Sequence, residues 1–330
     1  MKKRLLVIAV LLMAAFVCIT VLNGMDTELS PSEPSGSGTA ATDTADIKPS
    51  SKGSPYKFYF ERLTPVEKRA YNAIIEKIYD MPERIAVPKI DGKELDNVFS
   101  ALLFDNPDLF FLGRKCAVET RMWSTYFSVD YIIDKADLAD MKAQLERECE
   151  TFEQTLTDPD NQWRTELEIH DYVIDKCEYH DPEGDLVYSS SYGALVNGQA
   201  ACEGYSKAAK LLLDRAGIEN ALISGVSENG EGSGGAHMWN IVNIGGDYYH
   251  LDCTWDDPVS DDGGKLRMYT YFNLSDEMIR GTHRDFSYDF GCKSTAENYY
   301  IKTGTYFESY SSSSESRLTD IITKSVKNGR

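Results

Sequence analysis

The chain has 330 residues, 42% hydrophobic and 26% charged, a folded protein's composition and enough length for one large domain or two ordinary ones. Its formal charge is -19, from 53 acidic against 34 basic residues, and no basic tract follows the N-terminus. A surface of that sign repels nucleic acid and anionic membranes, which excludes nucleic-acid binding from the expected functions.

The chain opens with a targeting pattern. Lys2, Lys3 and Arg4 precede an apolar run from Leu5 to Leu22. Residues 1–24 are therefore expected to be a signal peptide or a signal anchor. The run is long for a cleaved signal and no A-x-A site follows it, which favours an uncleaved transmembrane anchor with its basic end in the cytoplasm. Ala15-Phe16-Val17 lacks the small residues that lipoprotein processing at Cys18 requires. Residues 25–55 are Ser, Thr, Pro, Gly and Asp with almost no large apolar side chain, and are expected to be a disordered stalk. A mean reach of roughly 30 Å would hold a domain off a membrane. The expected location is outside the cell, either membrane-anchored or secreted.

Folded sequence is expected from Tyr56, with 56–160 forming an α/β N-terminal region. Thr64-Pro65 offers an N-cap and a first-turn proline for a helix through about Tyr79. A second helix is expected over 93–104, stopped by Asn106-Pro107. "TYFSVDYII" alternates as a strand, and 136–155 and 163–177 read as helices. A second domain is expected over 161–290. In it, 202–216 carries Tyr205, Ala208, Ala209, Leu212 and Leu213 at helical spacing, with Gly217 beyond the end. "NALISGV" is a strand and "SENGEGSGG" a mobile polar loop. "AHMWNIVNI" and "DYYHLDCTW" are strands joined by Gly245-Gly246, a hairpin signal. Residues 291–330 are expected to be a C-terminal extension, ending in an amphipathic helix.

The hairpin register follows from its turn. If Gly245-Gly246 is central, Ile244 faces Asp247 and Asp252 falls opposite Trp239, with His237 on the diagonal. His237, Trp239 and Asp252 then project together, provided the register does not slip by one. A carboxylate beside an imidazole fixes its tautomer and stabilises the imidazolium. His250 is assigned to solvent or to the second face, and Cys253 to the core. Cys202 stands where a glycine-containing loop runs into a helix. There the unpaired N–H groups and the macrodipole favour thiolate and could hold an oxyanion. Gly198 and Gly204 are expected to admit another chain to the sulfur, and Glu203 to face away. Each element also has a structural reading: a buried free cysteine, a packed histidine and an acidic turn.

Of the seven cysteines, the six beyond Cys18 have irregular spacing and no C-x-x-C, which points neither to zinc nor to a disulfide framework. "CEYHDPEGD", with Cys177, His180 and Asp181, has no second cluster to complete a metal set. "DDPVSDDGG" lacks the ligand spacing of an EF-hand.

The run "YGALVNGQAACEGYSKAAKLLLDRAGIENALISG", followed by "AHMWNIVNIGGDYYHLDCTWDDP", resembles the transglutaminase-like superfamily of papain-fold thiol enzymes, in its bacterial secreted or surface-anchored branch. The resemblance covers roughly 167–272. It implies an α+β fold in which a nucleophilic Cys at a helix N-terminus packs on an antiparallel sheet. Cys202 matches the nucleophile, His237 the general base and acid, and Asp252 the orienting carboxylate. Trp239 and Asn240 match the pattern after the His, and Gly204 lies in the C-E-G-Y motif. The supplementary oxyanion donor is not located by the motifs, leaving Tyr192 and Gln199 as candidates. The implied activity is acyl transfer or hydrolysis at amides of extracytoplasmic protein or peptide substrates, cell-wall peptides included, through a Cys thioester. A cysteine peptidase and a non-catalytic surface binding module on the same fold are the alternatives. No cofactor and no metal are implied, and membrane contact is expected through the N-terminal segment only.

Overall fold

The computed structural model describes residues 47–182, 184–228, 234–258, 266–307, 309 and 311–327. The expected signal or anchor over 1–24, the stalk up to residue 46, most of the polar loop between the two central strands and the acidic turn from 259 lie outside the described residues. The chain divides between Ala143 and Gln144 into two compact units, ahead of the expected boundary at 160/161.

In the N-terminal unit, α1 (Phe58–Glu61) precedes α2 (Pro65–Ile75). A capping box starts α2: Thr64 accepts from the Glu67 backbone, and the Glu67 carboxylate accepts the Thr64 N–H. The helix stops short of Tyr79, because the chain tightens into a 3-10 turn over Ile78–Asp80 and leaves through Met81 at φ 45°. After β1 (Ile85–Val87), α3 (Gly92–Asp105) is started by a second capping box from Asp91 and Glu94. Next come β2 (Leu112–Arg121) and β3 (Ser124–Tyr131), giving an antiparallel sheet in the order β1-β3-β2. The strand β2 is an addition to the expected elements, and the residues on its exposed face are mostly charged. Phe60, Tyr71, Ile74, Phe99, Phe111 and Phe127 are buried as this unit's core.

Residues 47–55 correct the expected stalk boundary. The Ser50 N–H donates to Asn72 Oδ1 (2.9 Å) and the Ser54 N–H to Asn106 Oδ1 (3.2 Å), while Asn106 Nδ2 donates to the buried Tyr71 hydroxyl (2.8 Å). Side-chain amides on α2 and after α3 thus give a polar strap its partners. A count of apolar residues does not register such anchoring.

The helix α4 (Leu138–Glu153) carries the division. In the C-terminal unit, α5 (Gln162–Lys176) leads into β4 (Glu178–Tyr179), which pairs in parallel with β5 (Gln199–Ala200). This short ladder delivers the chain to α6 (Cys202–Arg215), which ends before Gly217 at φ 72°. Then follow β6 (Asn220–Glu228), β7 (Gly234–Ile244), β8 (Asp247–Leu251), β9 (Phe272–Leu274), α7 (Asp276–Ile279) and β10 (His283–Arg284). They form a five-stranded antiparallel sheet in the order β10-β6-β7-β8-β9. After it come the one-turn helix α8 (Tyr299–Lys302) and the 16-residue helix α9 (Ser312–Lys327).

The β7–β8 turn has Gly245 at φ 66° and Gly246 at φ 97°, and the ladder runs Ile244↔Asp247 to Asn240↔Leu251, as the hairpin arithmetic requires. The stretch after 290 is not a mere appendage at its start. Cys292 is buried in one core cluster with Ile223, Trp239, Ile241, Leu274 and Ile279. Asn298 Nδ2 also donates to the Phe272 carbonyl at 3.0 Å. All six described cysteines are free thiols. Among the described residues no helix is long and apolar enough to cross a membrane.

Candidate active site

The sheet positions the first two groups. Asp252 follows the last residue of β8, so the ladder carries it beside Trp239 and diagonal to His237. His237 Nε2 and Asp252 Oδ2 lie 2.6 Å apart, with both side chains buried. The same carboxylate accepts three further hydrogen bonds. The N–H groups of Thr254 (3.0 Å) and Trp255 (3.2 Å) reach Oδ1, and His283 Nε2 reaches Oδ2 at 3.0 Å. Burial alone would raise the Asp252 pKa, but the charge and hydrogen bond of His237, with those of His283, hold it well below the usual carboxylate range. For His237 burial works downward, and it is outweighed by the Asp252 charge and hydrogen bond and by the Cys202 sulfur, which push the imidazole up to about 10.

Cys202 opens α6 with Ala201 as N-cap and no side chain capping the end, while the Gly204 N–H is taken by the Ala201 carbonyl at 2.9 Å. Its sulfur is a hydrogen-bond partner of His237. Since Asp252 engages Nε2, Nδ1 is the ring nitrogen left for the thiol proton. Ser206 Oγ lies between the carbonyls of Cys202 (2.7 Å) and Met238 (2.8 Å), and Asn240 Nδ2 donates to the Ser206 carbonyl (3.0 Å). These bonds fasten the start of α6 to β7, and with it the sulfur to the imidazole. Cys202 is half-buried, whereas burial pushes Cys116, Cys149 and Cys292 up to about 12 and Cys253 well above its ordinary value. Glu203 forms an ion pair with Lys207 at 2.8 Å.

Trp239 is fully buried and stacks on His237, with ring centroids 5.7 Å apart and planes 18° apart. Its Nε1–H donates to His250 Nδ1 at 2.9 Å, and His250 Nε2 reaches Asp276 Oδ1 at 2.9 Å. This corrects the placement of His250. Residues two apart in a strand share a face, so His250 goes with Asp252, and it is buried rather than turned to solvent.

Gly204 also has a different role from the expected one. A Cβ there would meet the Tyr188 carbonyl and Ala200 Cβ at 2.6 Å, so the glycine admits this chain's own backbone, not a substrate. The Tyr192 hydroxyl is taken by Gln144 Oε1 at 2.7 Å, and Gln199 lies on β5 beside Glu178. Cys177 is buried while His180 and Asp181 are exposed, and the three do not form a cluster. Asp256 bonds His170 (3.1 Å) and the Tyr271 N–H, and Asp257 accepts from the Tyr205 hydroxyl (2.6 Å), so these two acidic side chains brace α5, α6 and β9.

Two residues at the site have no signal in the motifs. His283 is an isolated histidine far along the chain, brought in only by the pairing of β10 with β6. Tyr179, on β4, stands near enough to Cys202 for the sulfur's charge to add to burial in pushing its hydroxyl up to about 12. Among the described residues two groups contain metal-ligating residue types: the buried His237, Asp252 and His283, and His250 and Cys292 with the half-buried Asp276. In both, each imidazole Nε2 is committed to a carboxylate. His250 Nδ1 also accepts the Trp239 N–H, so the hydrogen-bonded tautomers present no Nε2 lone pair to an ion.

Residues 150–253 match the family model described as the transglutaminase-like superfamily. No curated protein matches the chain in sequence. Among solved structures, the chain is similar to a TGase at 15% identity and TM-score 0.31, covering 69% of this chain and 68% of that one. A candidate cysteine protease from Cytophaga hutchinsonii is similar at 13% identity and TM-score 0.28, over 44% of this chain and 54% of its own. The periplasmic domain of TgpA from Pseudomonas aeruginosa is similar at 15% identity and TM-score 0.27, over 42% and 55%.

Proposed function

With residues 150–253 transglutaminase-like, we propose that this protein is a thiol acyltransferase or hydrolase acting on amide bonds of peptides or proteins outside the cytoplasm. The observation that carries the reading is the 2.6 Å His237–Asp252 bond beside a half-buried cysteine at an uncapped helix N-terminus. The extracytoplasmic site of action rests on the Lys/Arg-flanked apolar run at 5–22.

The chemistry follows from the groups in place. The reactive form of the pair is a Cys202 thiolate beside a His237 imidazolium, and the imidazole is pushed up to about 10, so it holds its proton near neutrality. The sulfur attacks the amide carbon and the C–O π electrons move to oxygen. The resulting oxyanion takes the Cys202 N–H. His237 gives its Nδ1 proton to the departing nitrogen, the C–N bond breaks, and a thioester remains on Cys202 with ammonia or an amine released. His237 then takes a proton from water or from an incoming amine. That nucleophile attacks the thioester, and Cys202 leaves as thiolate. Asp252 stays anionic throughout, holding the ring with Nδ1 toward the sulfur.

The test offers a glutamine peptide with and without a primary amine to the wild type and to Cys202→Ala. Amine incorporation lost by at least about a thousandfold in the variant supports transfer, and peptide cleavage lost to the same extent supports a peptidase. If neither activity appears, and Cys202 alkylates no faster in the native protein than an ordinary thiol, the binding-module reading replaces this one.

A further inference from the structure

Asp252 serves two imidazoles. His283 is fully buried on the two-residue edge strand β10, paired with Ser227 of β6, and its Nε2 lies 3.0 Å from the same Oδ2 that holds His237. Its other nitrogen, Nδ1, is 2.9 Å from Thr282 Oγ1, which fixes the ring's rotation. Aromatic rings lock it laterally, with centroids of Trp255 at 4.9 Å, Trp239 at 5.0 Å and Tyr271 at 5.4 Å. The His237 ring is 5.4 Å away. Burial requires partners for both ring nitrogens, and what sets His283 apart is that one of its two partners is the oxygen that also holds His237.

We propose that His283 is a positioning residue for the reaction: by occupying the second acceptor site of Asp252 Oδ2 it keeps the carboxylate anionic and limits its hold on His237. The inference rests on Cys202 and His237 being the reacting pair. The need for such a brake is chemical. An imidazolium held too firmly by a dry carboxylate is a poor acid, and the leaving nitrogen must take its proton near neutral pH. A second donor on Oδ2 competes for the same electron density and draws the carboxylate's charge from His237.

The titratable groups facing His237 are Asp252 at the end of β8, Cys202 on α6 and His283 on β10. Asp256 lies close enough to Asp252, and His250 close enough to His283, for their charges to interact. Removing His283 strips one donor from Oδ2, so Asp252 turns wholly to His237. The His237 titration therefore moves upward.

The experiment follows the His237 ring by NMR in full-length protein with labelled histidine, alongside the pH dependence of Cys202 alkylation. His283→Leu is expected to raise the His237 midpoint by on the order of one pH unit. His283→Gln, whose amide can still donate to Oδ2, is expected to bring it back to the wild-type position. Should the leucine variant fail to fold, Thr282→Val leaves the ring in place but frees its rotation, and is expected to move the midpoint the same way by less. A His237 midpoint unchanged in every folded variant overturns the proposal. An upward shift in a protein whose Cys202 is unreactive keeps the positioning role and counts against the thiol-enzyme reading, whereas rapid alkylation without a shift does the reverse.

Discussion

At the scale of single residues, the His237–Asp252 pair ties activity to stability. His237 is raised from an ordinary 6.5 to about 10, so its contribution to stability is complete below pH 6.5 and is lost as pH climbs through 10. Asp252 is lowered from an ordinary 3.8, so its share is present above that value and is lost as pH falls below it. Thermal melts are therefore expected to be highest between these limits and to fall at the alkaline end as the ring deprotonates. Asp252→Asn removes the charge that raises His237, so its melting temperature is expected to lose the alkaline decline, and activity to drop by about 10³–10⁴. An alkaline limb identical in variant and wild type would refute the assignment. Hairpin parity made His237 and Asp252 legible, because a period of two leaves one register once the turn is known. The same parity puts His250 with Asp252, and misplacing it hid the bond that anchors Trp239.

At the scale of elements, the site depends on what lies against β7. Gly225 on β6 pairs with His237, and a Cβ there would meet Trp239 Cη2 at 2.7 Å and the Arg284 carbonyl at 2.6 Å. The Trp239 ring needs this gap to lie flat against the imidazole. Gly225→Ala is expected to cost on the order of 1–3 kcal/mol in chemical denaturation and to slow Cys202 alkylation by tilting the stack. Unchanged stability together with unchanged alkylation would show that Trp239 has other room. The helices α2, α3, α5 and α6 were legible from caps and apolar spacing, since those signals are local. The strand β2 was not, because "LGRKCAVETR" puts only Cys116 and Val118, with Arg114, on its half-buried face beyond Leu112, too weak an alternation to declare a strand without its pairing with β3.

At the scale of the whole molecule, the net charge of -19 bears on the proposed activity by favouring the approach of cationic over anionic peptides. Cationic peptides are expected to show a kcat/KM that falls as salt is raised from about 50 to about 300 mM, and anionic peptides the opposite trend. Equal salt responses for the two would mean that the field at the site differs in sign from the whole. The same scale governs the polar strap at 47–55 and the stretch after 290. Both read as appendages because they are poor in apolar residues or lack a motif. They are held by Asn72 and Asn106 in one unit, and by the Cys292 core contact and Asn298 in the other.

Sequence alone determined the motif order, the helix that Cys202 heads and the hairpin that aims His237 and Asp252. Each of these depends on residues close together in the chain, or on one turn with a known register. Only the tertiary structure decided that Asp252 is shared with His283, that Trp239 is fixed through His250 and Asp276, and that Gly204 accommodates the protein's own backbone. Those relations join segments separated by long stretches of chain, where no local periodicity carries information and packing alone selects the partner.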